Sequence, residues 1–278
     1  MKFSKIAPSA IATVAALSAQ ASASNNFGIV YSPYNSDGTC KSTSEVASDL
    51  APLSEYGVIR IYGTDCNQVA NVLAGKSSNQ KVFAGIFYMN DIEGCVSTIA
   101  SAVKSTGSSW DDIHTVSVGN ELVNNGEATV DQIGEYVSTA RSALTSAGYS
   151  GSVVSVDTFI AVINNPGLCE HSDYMAVNAH AYFDYNTAAA DAGPWVLEQV
   201  QKVWYACEGS KNVLITESGW PSQGETYGLA VPSDENQKTA IASIQDTCGD
   251  DVIFYSAYNT LWQDAGAYGV NKYFGIYD

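Results

Sequence analysis

Two glutamates stand at the ends of short apolar runs. Glu121 closes HTVSVGNE (114–121) and Glu217 closes the run inside NVLITESG (212–219), with Trp220 three residues behind it. A strand that reads as core yet ends on an acid sets a carboxyl group at the rim of a sheet. Two such acids facing each other suit one chemistry in particular. One carboxylic acid protonates a leaving oxygen while the other, as carboxylate, attacks the carbon that the oxygen leaves. This is the retaining route of glycoside hydrolysis, which calls for carboxyl groups about 5–5.5 Å apart. Other apolar runs also end on residues suited to a sugar site: Tyr31 and Tyr34, Tyr62 and Asp65, Asn120, Asp157, then Asn178, His180, Tyr182 and Phe183, and finally Trp262.

Such residues converge only if the strands that carry them are parallel and neighbouring. The runs occur at 28–34, 58–63, 81–88, 114–121, 153–160, 174–183, 212–219 and 252–259. Most have the Val/Ile/Tyr/Phe richness and length of buried parallel strands. Segments of helical spacing lie between them, several opening on Ser, Thr or Asp followed by an acid, the mark of a capped helix start. Gly148 and Gly209 fall where helices should stop. Eight strands alternating with helices predict a single (β/α)8 barrel, whose active face lies at the C-terminal ends of the strands. Between Ile160 and Tyr174 there is room for only a short fifth helix, if any. No Gly-rich phosphate loop follows the first strand, no metal-binding Cys/His spacing is present, and nothing marks a second domain. Neither a cofactor nor a metal is expected.

Composition narrows the setting. Residues 1–23 have Lys2 and Lys5 ahead of an apolar stretch and end on Ala21-Ser22-Ala23, the layout of a secretory signal peptide cleaved after Ala23 or, alternatively, Ala19. The catalytic domain is then 24–278. It keeps 10 basic against 29 acidic side chains once Lys2 and Lys5 are removed, which argues against nucleic acid as a partner. No segment suits a membrane span. A secreted or wall-held monomer is expected. His114 reads as structural. Arg60, inside the second run, reads either as a core cation acting on Glu217 or as part of a purely structural pair.

GNE at 119–121 and TESGWP at 216–221 resemble the two signatures of glycoside hydrolase family 17, whose members act on β-1,3-glucan. NSDGTC (35–40), IRIYGTDCNQV (59–69), VDTF (156–159), VNAHAYF (177–183) and YNTLW (258–262) resemble its fungal cell-wall branch, the yeast soluble cell-wall proteins and cell-surface mannoproteins. The resemblance implies Glu121 as acid/base, Glu217 as nucleophile and Asn120 as partner of the 2-hydroxyl of the attacked sugar. Tyr31 and Tyr62 resemble sugar platforms, Trp220 the floor near the nucleophile, and His180 a polar contact in place of an aromatic one. Asp157 is left between touching substrate and orienting a neighbour. The substrate implied is β-1,3-glucan or its laminari-oligosaccharides, with hydrolysis and glucanosyl transfer both open and wall remodelling favoured. A non-catalytic, glucan-binding wall protein is the alternative, against which the intact pair of acids and Asn120 speak.

The six cysteines of a secreted chain suggest disulfides. Cys40 and Cys66 follow the first two strands and should meet at the top of the barrel. Cys169, Cys207 and Cys248 precede strands six to eight, so a pair at the bottom is expected, Cys169–Cys207 first. Cys95 is then left over with one bottom thiol, unless it competes for Cys66.

Overall fold

The computed structural model describes residues 26–277; the signal-peptide reading of 1–23 lies outside them. Eight strands close into one parallel barrel in chain order. They are β1 (Asn26–Val30), β2 (Tyr56–Arg60), β3 (Lys81–Ile86), β4 (Ile113–Val118), β5 (Ser152–Thr158), β6 (Met175–Asn178), β7 (Val213–Ser218) and β8 (Val252–Phe254). Each overlaps one apolar run of the sequence, although β1 and β2 begin two residues earlier than their runs and most strands stop short of their ends. Seven helices alternate with them: α1 (Thr43–Leu50), α2 (Gln68–Gly75), α3 (Ile92–Ser105), α4 (Val130–Ser146), α5 (Phe159–Asn164), α6 (Ala192–Ala206) and α7 (Asp234–Cys248). The fifth helix is six residues long, as the short connection requires. Among the described residues no α-helix follows β8; the chain returns through turns, which bring Trp262, Gln263, Asn271 and Phe274 to the cleft.

Helix ends obey the expected chemistry. Ser42 and Thr129 form reciprocal capping boxes with Glu45 and Gln132, and Ser233 caps α7 through the Asn236 amide. Gly148 and Gly209 follow the ends of α4 and α6 with φ of 92° and 69°, the left-handed turn that lets a helix stop.

Alternation along the strands sorts side chains to two sides. Val30, Val58, Phe83, Val154, Val156, Ala176, Leu214 and Ile253 fill the barrel interior, while Ile29, Ile59, Val116, Val177 and Ile215 pack outward under the helices. Arg60, Asn178 and Thr216 share the inward parity and replace apolar filling near the top. Two glycines are dictated by this top layer. A Cβ on Gly85 would lie 2.2 Å from the Tyr62 carbonyl, and one on Gly219 would lie 2.0 Å from that of Tyr255. Only glycine lets these backbones approach so closely, and both approaches bring a tyrosine to the same place.

Two bridges close the loops as expected: Cys40–Cys66 at the top and Cys169–Cys207 at the bottom. Cys95 is buried and Cys248 half-buried, both as free thiols. Cys95 does not compete for Cys66; its Sγ accepts from the Thr64 hydroxyl at 3.3 Å.

Candidate active site

The end of β7 carries an irregularity that aims the site. Val177 pairs with Ile215, but the next residue of β6, Asn178, pairs with Glu217. Thr216 is thereby the extra residue of a bulge, a device that redirects side chains at barrel rims. Simple alternation would send Glu217 outward under the helices. The bulge turns it into the barrel mouth instead.

There Glu217 is nearly covered, its side chain 8% exposed. Its Oε1 accepts from Arg60 Nη1 at 2.9 Å and from the Tyr62 hydroxyl at 2.7 Å. Its Oε2 faces His180 Nε2 at 3.3 Å. A carboxylate only accepts, so Nε2 is the protonated ring nitrogen. Burial by itself would favour the neutral acid; the charge of Arg60, then His180 and Tyr62, outweigh it and hold Glu217 below its ordinary pKa. Removing Arg60 would leave the buried carboxylate with only Tyr62 and His180 as partners; breaking a buried ion pair costs about 3–5 kcal/mol in comparable cases.

Glu121 sits differently. Its backbone is left-handed, φ 58°, an uncommon state for a residue with a side chain and one that clusters at functional sites. The conformation is held from both sides: the Glu121 amide donates to the Val156 carbonyl and the Asn125 amide to the Glu121 carbonyl, each at 2.9 Å. Burial, then the charge of Glu217, push Glu121 above its ordinary pKa, against one hydrogen bond from Asn178 Nδ2 at 2.7 Å. The two acids are thus driven in opposite directions. Such a split is how a site keeps one carboxyl as proton donor and the other as an anion.

Between the acids lies a donor-acceptor chain governed by Arg60. Its Nη2 donates to Asn120 Oδ1 at 2.9 Å and its Nη1 to the Thr216 carbonyl at 2.7 Å. A guanidinium has no acceptor, so Asn120 must turn its oxygen to Arg60 and its Nδ2 away, free to donate to a ligand.

The cleft extends from the acids in two arms of about 510 and 400 Å³ that share Glu121, Glu217, Tyr255 and Gln263. These sizes lie in the usual range for ligand pockets. Tyr34, Tyr62, Asp65, Phe87, Tyr88 and Trp262 line the first, where the Tyr34 and Trp262 rings pack 4.8 Å apart. Phe159, Ile160, His180, Phe183 and Phe274 line the second.

Of the residues expected to bind sugar, Tyr62, Asn120, Asn178, His180 and Trp262 reach this cleft. Others do not. Tyr31 is 1% exposed and spends its hydroxyl on Asp49 at 2.7 Å. Trp220 is fully buried, its indole nitrogen donating to the Val231 carbonyl at 3.0 Å. Tyr182 is fully buried too, packed edge-on against Trp220 and bonded to the Glu225 carbonyl. These three pack behind the site: Tyr31 is no platform in it, and Trp220 and Tyr182 do not line the cleft. Asp157 accepts from the amides of Val123, Asn124 and Thr158, so it orients the loop that carries Glu121. Tyr255 was not anticipated. It follows Ile253 at the next inward position, and strand parity alone would have found it. Phe183, not its neighbour Tyr182, is the cleft aromatic after β6, because the 3-10 turn Ala181–Phe183 breaks the alternation.

A closed parallel barrel with a half-buried carboxyl group beyond the end of β4 and a buried one at the end of β7 defines a (β/α)8 glycoside hydrolase domain. The chain belongs to the family of the BtgE/BtgC glycoside hydrolase domain, which matches residues 28–275. It is 66% identical over 254 residues to the probable family 17 glucosidase SCW10 of Saccharomyces cerevisiae, covering 91% of this chain and 65% of that one. It is 59% identical to the cell surface mannoprotein MP65 of Candida albicans over 90% of this chain and 66% of that one. This chain therefore spans about two thirds of the length of these relatives. In fold it is similar to the glycoside hydrolase family 17 β-1,3-glucanosyltransferase of Rhizomucor miehei, solved as an active-site mutant in complex with laminaritriose (TM-score 0.77, 18% identity, 91% of this chain and 93% of that one).

Proposed function

We propose that this chain is a retaining β-1,3-glucan glycosidase that passes its glucosyl group to water or to a second glucan. The observation that carries the reading is the pair of acids with opposed pKa directions at the junction of a two-armed cleft. In the first step a carboxylate oxygen of Glu217 bonds to the anomeric carbon, the bond from that carbon to the bridging oxygen breaks, and the Glu121 proton goes to that oxygen. In the second, the oxygen of water or of a sugar hydroxyl bonds to the same carbon, the ester to Glu217 breaks, and Glu121 takes back a proton. Asn120 Nδ2 donates to the sugar's 2-hydroxyl, a contact that strengthens as charge develops. An arm on each side of the acids lets an acceptor sugar replace the departed half, which is what transfer needs over hydrolysis. The names of the yeast relatives support a glucosidase, and the laminaritriose bound to the Rhizomucor β-1,3-glucanosyltransferase supports β-1,3-glucan as the substrate class.

We further propose that the protein works outside the cell as a monomer, made with the signal at 1–23. Two disulfides suit an oxidising compartment. The test is incubation with a laminari-oligosaccharide of fixed length. Products both longer and shorter than the substrate are expected from transfer, and shorter ones alone from hydrolysis. Binding with no turnover would replace the proposal with a non-catalytic glucan-binding role.

A further inference from the structure

Asn178 lines the cleft, yet the residue is 2% exposed and its amide has nothing left to offer a sugar. Its Oδ1 accepts from Arg60 Nη1 at 3.4 Å and from the Thr216 hydroxyl at 2.9 Å. Its Nδ2 donates to Asn120 Oδ1 at 3.3 Å and to Glu121 Oε1 at 2.7 Å. Two acceptor and two donor positions exhaust a primary amide. The direction of the amide is not free either. Arg60 only donates, so it fixes Oδ1 toward itself and turns Nδ2 toward the acid.

The consequence concerns where the catalytic proton sits. An oxygen that accepts a short N–H bond is a poor place for a carboxyl proton. Glu121 Oε2, by contrast, accepts no hydrogen bond among the described residues and is not closed off from the cleft. We propose that Asn178 is a positioning residue that occupies Oε1 of Glu121 and confines the acid's proton to Oε2, aimed at the glycosidic oxygen. The bulge at Thr216 serves this arrangement, since it sets Asn178 beside Glu217 in register and supplies the hydroxyl behind the amide. Arg60, Asn178 and Glu121 thereby form one line of directed hydrogen bonds that runs from the nucleophile's cation to the acid. This inference rests on the glycosidase reading above.

The test uses two substrates. A laminari-oligosaccharide has a poor leaving group that needs the proton, whereas a dinitrophenyl laminaribioside leaves without one. In Asn178→Ala, kcat/KM on the oligosaccharide should fall by one to two powers of ten, part of the about 10²–10⁴-fold that general acid catalysis supplies. On the dinitrophenyl substrate it should fall by less than about threefold, because the step that the proton assists is already fast. The alkaline limb of the pH profile should also move upward, since the lost N–H favours the ionised form of Glu121. The other groups facing Glu121 remain in the variant: Glu217, His180, Asp157 and Tyr255. The shift therefore reports on the amide. Thr216→Val, which removes only the hydroxyl behind Asn178, should show the same pattern at smaller size and carries the test if Asn178→Ala does not fold. Equal losses on both substrates with an unmoved alkaline limb would overturn the assignment while leaving the glycosidase reading intact. An inactive wild type would instead remove the reading itself.

Discussion

Glu121 and Glu217 are the same residue type in one cleft, and their neighbours shift their pKa values in opposite directions. Glu217 has Arg60, His180 and Tyr62 around it, which together hold its pKa below the ordinary value; Glu121 has burial and an opposing charge, which push its pKa up against one amide. Tyr62 remains a protonated donor to Glu217 because burial and the charge of Glu217 raise its own pKa. This division predicts different stereochemistry for the two alanine variants, beyond a difference in rate. In Glu217→Ala, azide should attack an activated β-glucoside from the face the carboxylate has left and give the inverted glycosyl azide. In Glu121→Ala the ester on Glu217 still forms from an activated donor, and azide should discharge it with net retention. NMR of the anomeric proton in each product decides the matter. The reverse assignment of products would exchange the two roles.

At the scale of elements, the cleft's first arm depends on the loops after β1 and β2, which bring Tyr34 and Asp65 together through a 2.7 Å hydrogen bond. The Cys40–Cys66 bridge joins these loops across 26 residues. Loop closure of that length is worth roughly 3–4 kcal/mol, so Cys40→Ser with Cys66→Ser should lower Tm by about 10 °C at this chain size. KM for laminari-oligosaccharides should rise more than kcat falls, because the acids stand on other strands; thermal scans and steady-state kinetics measure both effects. These elements were legible in the sequence for a physical reason. Buried parallel strands are continuous runs of Val, Ile and Phe, and the short connection from Ile160 to Tyr174 leaves no room for a long α5. The two acids were legible because a charged residue closing such a run has no place in a core. The aromatic lining was less so. Tyr31, Tyr182 and Trp220 are as large and amphipathic as Tyr62 and Trp262, and composition does not tell a platform from packing. What separates them is facing. Alternation settles it for Tyr31 and Tyr62, because Val30 and Arg60 point inward; for Tyr182 and Trp220 it is set by the turn at Ala181–Phe183 and the bulge after Val177, which the alternation of the sequence does not encode.

For the molecule as a whole, the site is held against its own stability. The chain carries a net charge of −17, and its self-repulsion grows as pH rises. Within that field the barrel holds Glu121 beside Glu217 in a buried mouth. Glu121 has a folded-state pKa above its unfolded one. Below the unfolded value, near 4.3 for glutamate, it is protonated in both states and costs nothing. Between the unfolded and folded values the unfolded chain releases the proton that the folded one keeps, so stability falls as pH rises, and it levels off beyond the folded value. Glu217, with a lowered pKa, works the other way, and its contribution is lost as pH falls through its folded value. The substitution Glu121→Gln keeps the oxygen that accepts from Asn178 and removes the titration. It should therefore raise Tm relative to wild type at pH 7, with the gain shrinking toward zero as pH drops through the carboxylate range, while activity is lost on unactivated glucan at every pH. Net-charge repulsion changes with pH almost equally in both proteins, so the difference between their Tm values isolates this one carboxyl group. A Tm gain independent of pH would mean that packing at residue 121, and not the burial of its charge, limits the stability of the barrel mouth.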